Sequence, residues 1–427
     1  MLGFLGVLFF IFGLLGSIAL HEIGHLVPAK KFGVRVSQYM VGFGPTLWSR
    51  TRGETEYGVK AIPMGGYIRM IGMYPPSNNP QRKRGPFAEL IEDSREMSLE
   101  EIQPGEQHRT FYSLSIPKKL IVMFSGPFMN FIIACVLFTV SLSVIGYMAP
   151  TTTVAQTLPC VPTVTDQSGE LLSDGTCGAG SVSPASSIGL KAGDTIVAVD
   201  NHKVTSWTQL GDVLADLGGH TVPITFSRNG EEISRSVTIG SAYDLQSTDG
   251  SPRGFIGLSP TRAPHRESIS AVGPFMWADV RASTAALGHF PVAVYDLGRT
   301  LMTNGPRNPN GPVGVIGVGR ITDQIASQDS VPLSNKIGSL LMMLAGLNLF
   351  LFLFNLVPIL PLDGGHMAGA MFEGIRRFVA RLRGISPLPG PTDTARLLPL
   401  TYVVAIVMIV SSLLVAVADI IKPITLG

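Results

Sequence analysis

Charge is scarce in this 427-residue chain: Asp, Glu, Lys and Arg make up 15% of it, well below the about one quarter usual in soluble domains. Lys+Arg 32 against Asp+Glu 30 leaves a net charge of +2, too weak a field to gather nucleic acid, and no such partner is expected. Cysteine is nearly missing, and three residues cannot build a disulfide framework. Glycine (48) and proline (31) are plentiful but sit inside apolar stretches, which excludes a disordered or collagen-like chain. Apolar residues, by contrast, make up 45%. The length allows two or three domains, and the balance indicates a membrane protein with one folded part outside the bilayer.

Four stretches are long and apolar enough to span a bilayer as helices. They run from Leu2 to about Val27, about Leu120 to Met148, about Ile337 to Leu360 and about Leu398 to Ile421. The first lacks the basic n-region and small-x-small cleavage site of a signal peptide and is read as an uncleaved span. Fourteen Lys and Arg lie between spans one and two, twelve in the much longer second loop and five in the short third loop. By the positive-inside rule the first and third loops are cytoplasmic, and both termini and the second loop lie outside.

The chain then divides into a first span (1–28), a cytoplasmic loop (29–118), a second span (119–149) and an irregular outer lead-in (150–181). A compact domain (182–240), a less legible juxtamembrane region (241–335), a third span (336–366), a cytoplasmic amphipathic loop (367–397) and a fourth span (398–421) follow. In the first loop, Gln38 to Met73 is rich in Gly and β-formers and reads as short strands and a hairpin beside the membrane. Residues 74–109 are polar and charge-dense, the composition of a mobile segment. The outer domain shows a strand at Asp194–Asp200, a turn at Asn201-His202 and a helix-like stretch from Trp207 to Leu217. A strand at Val222–Ser227, a hairpin turn at Asn229-Gly230 and a return strand at Ile233–Ile239 complete it. His202 is therefore a turn residue rather than a ligand. A helix-like amphipathic stretch follows near 270–303. Cys160 and Cys177 form either a disulfide or two separate thiols, and Cys135 is a small packing residue within a span. Arg376, Arg377, Arg381 and Arg383 beside Phe372, Ile375, Phe378 and Val379 read as an interfacial amphipathic helix.

Span one ends in His21-Glu22-Ile23-Gly24-His25, an H-E-x-x-H pattern. Residues i and i+4 of a helix stack one above the other, so both imidazoles face one point and can share a Zn²⁺. Glu22 lies about 100° round the helix, within reach of a water proton. Ionisable groups in an otherwise uncharged span are costly and mark function by default. Catalytic zinc takes a third protein ligand, and the other carboxylate at membrane level is Asp363, in Asn355-Leu-Val-Pro358-Ile-Leu-Pro361-Leu362-Asp363-Gly364-Gly365-His366. Spans one and three run in the same direction, so His25 and Asp363 fall at similar depth. Pro358 and Pro361 break the helix and Gly364-Gly365 permits a sharp turn back into the bundle. His366 is the rival third ligand.

Taken together, the chain resembles the site-2 protease family of intramembrane zinc metalloproteases, in its bacterial branch with an extracytoplasmic PDZ domain. The resemblance rests on His21-Glu22-x-x-His25, on Asn355-x-x-Pro358-x-x-Pro361-Leu362-Asp363-Gly364, and on Gly126-Pro127-x-x-Asn130 in span two. Gly42-Phe-Gly and Ile62-Pro-Met-Gly-Gly-Tyr67 resemble the family's membrane-associated β-hairpin region, and Ser183 to Asp194 the opening of its PDZ module. The fold implied is a polytopic α-helical membrane protein with four transmembrane helices, membrane-associated β-hairpin segments and an extracytoplasmic α+β PDZ-like domain. The resemblance implies one Zn²⁺ per chain on His21, His25 and Asp363, with Glu22 as general base. The implied setting is the bacterial plasma membrane, with the active site near its cytoplasmic face. The implied partners are the lipid bilayer and single-pass membrane proteins, anti-sigma factors typically, trimmed first by another protease. Asn355 is a candidate to hold a substrate carbonyl, and Gly65 and Gly66 a candidate strand edge for an unwound substrate. A helix–helix packing role is the alternative for Asn355 and Asn130. Two other classes stand beside the protease: an inactive membrane PDZ scaffold with a structural metal site, and a metal-handling transporter. The scaffold makes Glu22 dispensable, and the transporter predicts an internal inverted repeat that these spans do not display.

Overall fold

The computed structural model describes residues 2–76, 87–158, 182–243, 252–303, 307–308, 311–328 and 331–424. Cys160 and Cys177 lie outside these residues. In chain order the elements open with α1 (Leu2–Lys31), β1 (Val36–Arg52), β2 (Thr55–Met70), α2 (Ala88–Glu100), α3 (Ile116–Thr139) and β3 (Tyr147–Thr157). There follow α4 (Pro184–Ser187), β4 (Thr195–Val199), β5 (His202–Lys203), α5 (Trp207–Ala215), β6 (Thr221–Arg228), β7 (Glu231–Thr238), β8 (Gly240–Tyr243), β9 (Pro252–Phe255) and β10 (Leu258–His265). The chain closes with α6 (Ile269–Thr303), α7 (Val315–Ser327), α8 (Leu333–Asn355), α9 (Asp363–Leu382) and α10 (Leu398–Ile421). Two compact units result. One comprises residues 1–145, 267–295 and 312–427, the other residues 146–266 and 296–311.

The first unit holds the apolar helices. Four of the described helices are long and apolar enough to cross a bilayer: Leu2–Lys31, Ile116–Ile145, Leu333–Asn355 and Thr394–Ile421. Their apolar surface runs all round, which suits lipid rather than water. Between such helices there is no hydrophobic drive, so small residues and buried hydrogen bonds decide the packing. A Cβ on Gly6 would lie 2.5 Å from Ala326 of α7, one on Gly13 2.6 Å from Leu344 of α8, and one on Gly24 2.4 Å from the Ser125 carbonyl of α3. Buried Asn348 of α8 donates to Ser17 of α1 (3.0 Å), and Ser141 donates to the Gly338 carbonyl (2.6 Å).

Several boundaries differ from those expected. The second span stops at a π-turn over Val140–Ile145, and Tyr147 already begins β3. The third span ends at Asn355 rather than near Leu360, because Pro358 cannot continue the hydrogen-bond ladder although the sequence stays apolar. The charge-dense stretch 74–109 is not wholly irregular: α2 forms there, and its buried Arg95 pairs with Glu92 and with Asp393 (2.8 Å), far along the chain. The Gly-rich run 311–319 opens α7. Buried Asp419 of α10 accepts the backbone N–H groups of Gly314 (2.9 Å) and Gly317 (2.8 Å), and Lys336 donates to the Ala326 carbonyl (2.8 Å) at the helix's far end. Opposite charges thus satisfy the orphan groups at both ends of α7.

The second unit is α+β. Its sheet has the order β10-β3-β4-β6-β7, with β5 on β4, and every pairing is antiparallel. Strand β6 alternates, sending Val222, Ile224 and Phe226 into a core shared with Ile196, Val199, Leu210, Leu214 and Val237. Asn229 (φ 54°) and Gly230 (φ 87°) make the hairpin turn that their sequence announced. Ser206 caps α5 by accepting from the Gln209 N–H. His202 is an exposed residue of β5, beside Asn201 (φ 64°) in the turn. The lead-in expected to be irregular contains β3, which pairs along its length with β10, so the sheet extends on both sides of residues 182–240.

Asp194 is buried at the base of this sheet and accepts from both Arg228 Nε and Arg228 Nη2 (2.8 Å each) and from the Lys191 N–H (2.7 Å). The Arg228 guanidinium foremost, against the cost of burial, holds the Asp194 carboxyl below its ordinary value. The stabilisation is therefore complete above the unfolded carboxylate value of about 4 and is lost as pH falls through the lower folded value. Asp194→Asn should lower the unfolding temperature of this unit by about 5 °C at neutral pH, and the gap to wild type should shrink on acidification. Hydrogen exchange of β4 and β6 in the full chain checks both.

Candidate metal centre

His21 and His25 sit one turn apart near the end of α1, their rings edge to face with centroids 4.9 Å apart. His25 Nδ1 donates to the Val122 carbonyl of α3 (2.7 Å), which leaves the lone pair on Nε2. The ring fits because Gly126 has no side chain: a Cβ there would lie 2.0 Å from His25 Nε2. Gly24 and Gly126 therefore form one close crossing of α1 and α3, and the Gly126-Pro127 motif has a steric meaning.

Asp363 is the first residue of α9, after the non-helical turn 356–362. Gly364 and Gly365 do not supply a left-handed turn. They allow close approach instead, since a Cβ on Gly364 would lie 2.3 Å from the Val357 carbonyl and one on Gly365 2.5 Å from the Leu360 nitrogen. The start of α9 is thus tucked against the chain leaving α8, and Asp363 reaches α1. Its Oδ2 lies 3.4 Å from His21 Nε2 and 3.3 Å from His25 Nε2, and the two Nε2 atoms are 3.2 Å apart. An ionised carboxylate is the form that binds metal.

The donor set fits zinc. Ligands at about 2.0–2.1 Å from a tetrahedral ion lie about 3.3–3.4 Å from one another, the edge lengths of this triangle to within about 0.2 Å. Among the described residues these three form the one cluster with such spacing, so a fourth position is left for water or substrate.

Glu22 is buried beside the triangle, between α1 and β2. The Ile68 backbone N–H faces its carboxylate, and a Cβ on Gly66 would lie 3.0 Å from Glu22 Cγ and 3.1 Å from Ile18. Gly66 therefore lets β2 run close past the H-E-x-x-H helix. Residues Gly66–Met70 pair with Val36–Val41 along one edge, and among the described residues no strand pairs with the other. Gly65 takes φ +85°, a left-handed backbone that glycine adopts without cost, and packs on Phe43. Tyr39 of β1 donates to the Ala19 carbonyl (2.8 Å), fastening the hairpin to α1.

The other predicted residues lie near but apart. Asn355 is the last residue of α8. Asn130 is buried in α3, its Oδ1 without a hydrogen-bond partner. His366, one turn into α9, joins Lys119 and Glu373 in lining a separate small cavity. Sequence reasoning missed Asn348 and the glycines of α1. Their signal, small residues recurring at helical spacing in a span, was present.

Two imidazoles, a carboxylate and an adjacent glutamate, brought together where α1 meets the start of α9, make a donor set of the kind a metallopeptidase uses. The model of peptidase family M50 matches residues 9–385, and the chain belongs to that family, the site-2 protease family its motifs resemble. It is similar to the zinc metalloprotease Rip1 of Mycobacterium tuberculosis, 34% identical over 99% of this chain and 98% of that protein. It is also similar to Rip1 of Mycolicibacterium smegmatis, at 32% over 99% and 98%. The zinc metalloprotease RasP of Shouchella clausii is 27% identical over 84% of this chain and 88% of its own. A solved PDZ domain of an SdrC-like protein from Listeria monocytogenes matches 18% of this chain and 76% of its own at 25% identity, with a TM-score of 0.15.

Gly126→Ala should abolish stoichiometric zinc binding by driving the His25 ring off its carbonyl. Gly16→Ala, where a Cβ meets nothing within 4 Å, should bind zinc as wild type does. Metal analysis of the two purified variants checks the pair.

Proposed function

We propose that this chain is a zinc-dependent intramembrane endopeptidase that cleaves single-pass membrane proteins in regulated intramembrane proteolysis. The observation that carries the reading is the triangle of His21, His25 and Asp363 donor atoms with buried Glu22 beside it. His21, His25 and Asp363 would hold one zinc ion. When bound, zinc supplies Lewis-acid polarisation of the scissile carbonyl and makes water a stronger acid. Glu22 takes the proton of the attacking water and delivers it to the leaving amine. The Val122 carbonyl keeps His25 in the tautomer that the site needs.

A transmembrane substrate is helical, so its carbonyls must leave their own ladder before attack. The free edge of Gly66–Met70 offers backbone groups to the unwound segment and runs beside Glu22. Asn355 is assigned to a substrate carbonyl from its position at the mouth of the 356–362 turn. Exposed Phe43, Leu47, Trp48, Val59 and Ile62 on the hairpin suit insertion into the lipid interface. The chain resides in the bacterial plasma membrane, with the α+β unit outside as a PDZ-like gate against substrates whose outer domain has not been trimmed. Membrane-bound anti-sigma factors have the required single span. The scaffold reading is disfavoured because a structural zinc site closes with four protein ligands, and this cluster supplies three.

The test is Glu22→Gln in purified, detergent-solubilised protein, against a panel of single-span substrates tagged on both sides. The variant should keep its zinc and lose about 10²–10⁴-fold in cleavage rate. Equal cleavage by both proteins would remove Glu22 from the role of base. Zinc bound by both with no cleavage of any substrate would favour the scaffold.

A further inference from the structure

Helix α9 buries one side and leaves the other bare. On the buried side, Glu373 accepts from Lys119 of α3 (2.8 Å) and from the Thr392 N–H (3.2 Å) and is ion-paired with Arg377 (2.9 Å), which fixes the helix's rotation. On the bare side, Met371, Phe372, Ile375, Phe378 and Leu382 are 53–71% exposed. At about 100° per residue, Met371, Ile375, Phe378 and Leu382 fall in one stripe, with Arg376 and Arg383 on one flank and Arg377 and Arg381 on the other. Two of these cations are engaged within the protein, Arg377 on Glu373 and Arg376 on the Gly390 carbonyl (3.3 Å). Arg381 and Arg383 are exposed and have no side-chain partner among the described residues.

A bare apolar stripe edged by cations fits one kind of surface, apolar in depth and anionic at its rim. The chain supplies the continuity: α9 lies between the candidate spans α8 and α10, joined to α8 by only the turn 356–362. We propose that α9 docks on the anionic lipid headgroups of the membrane, with Phe378 and Leu382 in the acyl boundary and Arg381 and Arg383 on lipid phosphates. Its first residue is Asp363, so this docking steadies the carboxylate of the metal triangle. That second step rests on the zinc reading above.

The experiment uses the full chain in nanodiscs of phosphatidylcholine, with and without phosphatidylglycerol, and reads hydrogen exchange of α9 and zinc release to a chelator. Phosphatidylglycerol should slow exchange in α9 by about fivefold for each free arginine. Arg381→Ala/Arg383→Ala should lose that lipid effect while α8 and α10 exchange as before. Phe378→Ser/Leu382→Ser should speed α9 exchange in both lipids. Equal exchange with and without phosphatidylglycerol would overturn the docking. So would protection that follows protein-to-lipid ratio instead, the mark of a second copy on this face. Zinc release should be slower in the anionic discs, and equal release would overturn the link to Asp363. A chain that takes up no zinc would defeat the peptidase reading, and that link with it, while the exchange result would still decide the docking.

Discussion

Three acceptor atoms held 3.2–3.4 Å apart among apolar helices are the arrangement on which everything else in this structure depends. Lone pairs converging on one point repel and have lost the water that would have screened them. A cation at the centre of such a triangle would relieve that repulsion. The rest of the first unit is the means of holding it: α1 stacks two imidazoles, the Val122 carbonyl selects the tautomer of one, and the tucked start of α9 brings the carboxylate across.

Close backbone approach is the recurring device. Gly24 meets Ser125, Gly126 clears the His25 ring, Gly66 passes Glu22, and Gly364 and Gly365 fold α9 against the chain from α8. In each case a methyl group would crowd backbone or the side chain of His25 or Glu22. Polar contacts between the apolar helices, such as Asn348 with Ser17 and Asp419 with the start of α7, then fix which helix lies beside which. The result is a rigid frame around a site that leaves one strand edge and one ligand position free.

The local part of this was legible in the sequence. His21 and His25 needed only the period of a helix, and the four spans needed only length and apolarity. Asp363 was reachable because the positive-inside rule put the ends of spans one and three at the same depth. What escaped was non-local. Strand β3 follows directly on a span and pairs with β10 about a hundred residues later, beyond the reach of any local pattern. Helix α2 sits in a charge-dense stretch, where Arg95 finds Asp393 some 298 residues away. The third span overran because Leu356 to Leu360 remain mostly apolar after Pro358 has ended the helix. Gly364 and Gly365 were read as flexibility, whereas the space around them gives their reason.

The zinc K-edge X-ray absorption spectrum of the purified full chain reads the donor set of the triangle itself. Nitrogen and oxygen donors are expected at about 2.0–2.1 Å, with the multiple-scattering signature of two imidazoles and no sulfur. Asp363→Ala should remove an oxygen donor and leave both imidazoles in place. A spectrum with three imidazoles would move the third ligand to His366 and contradict the triangle described here.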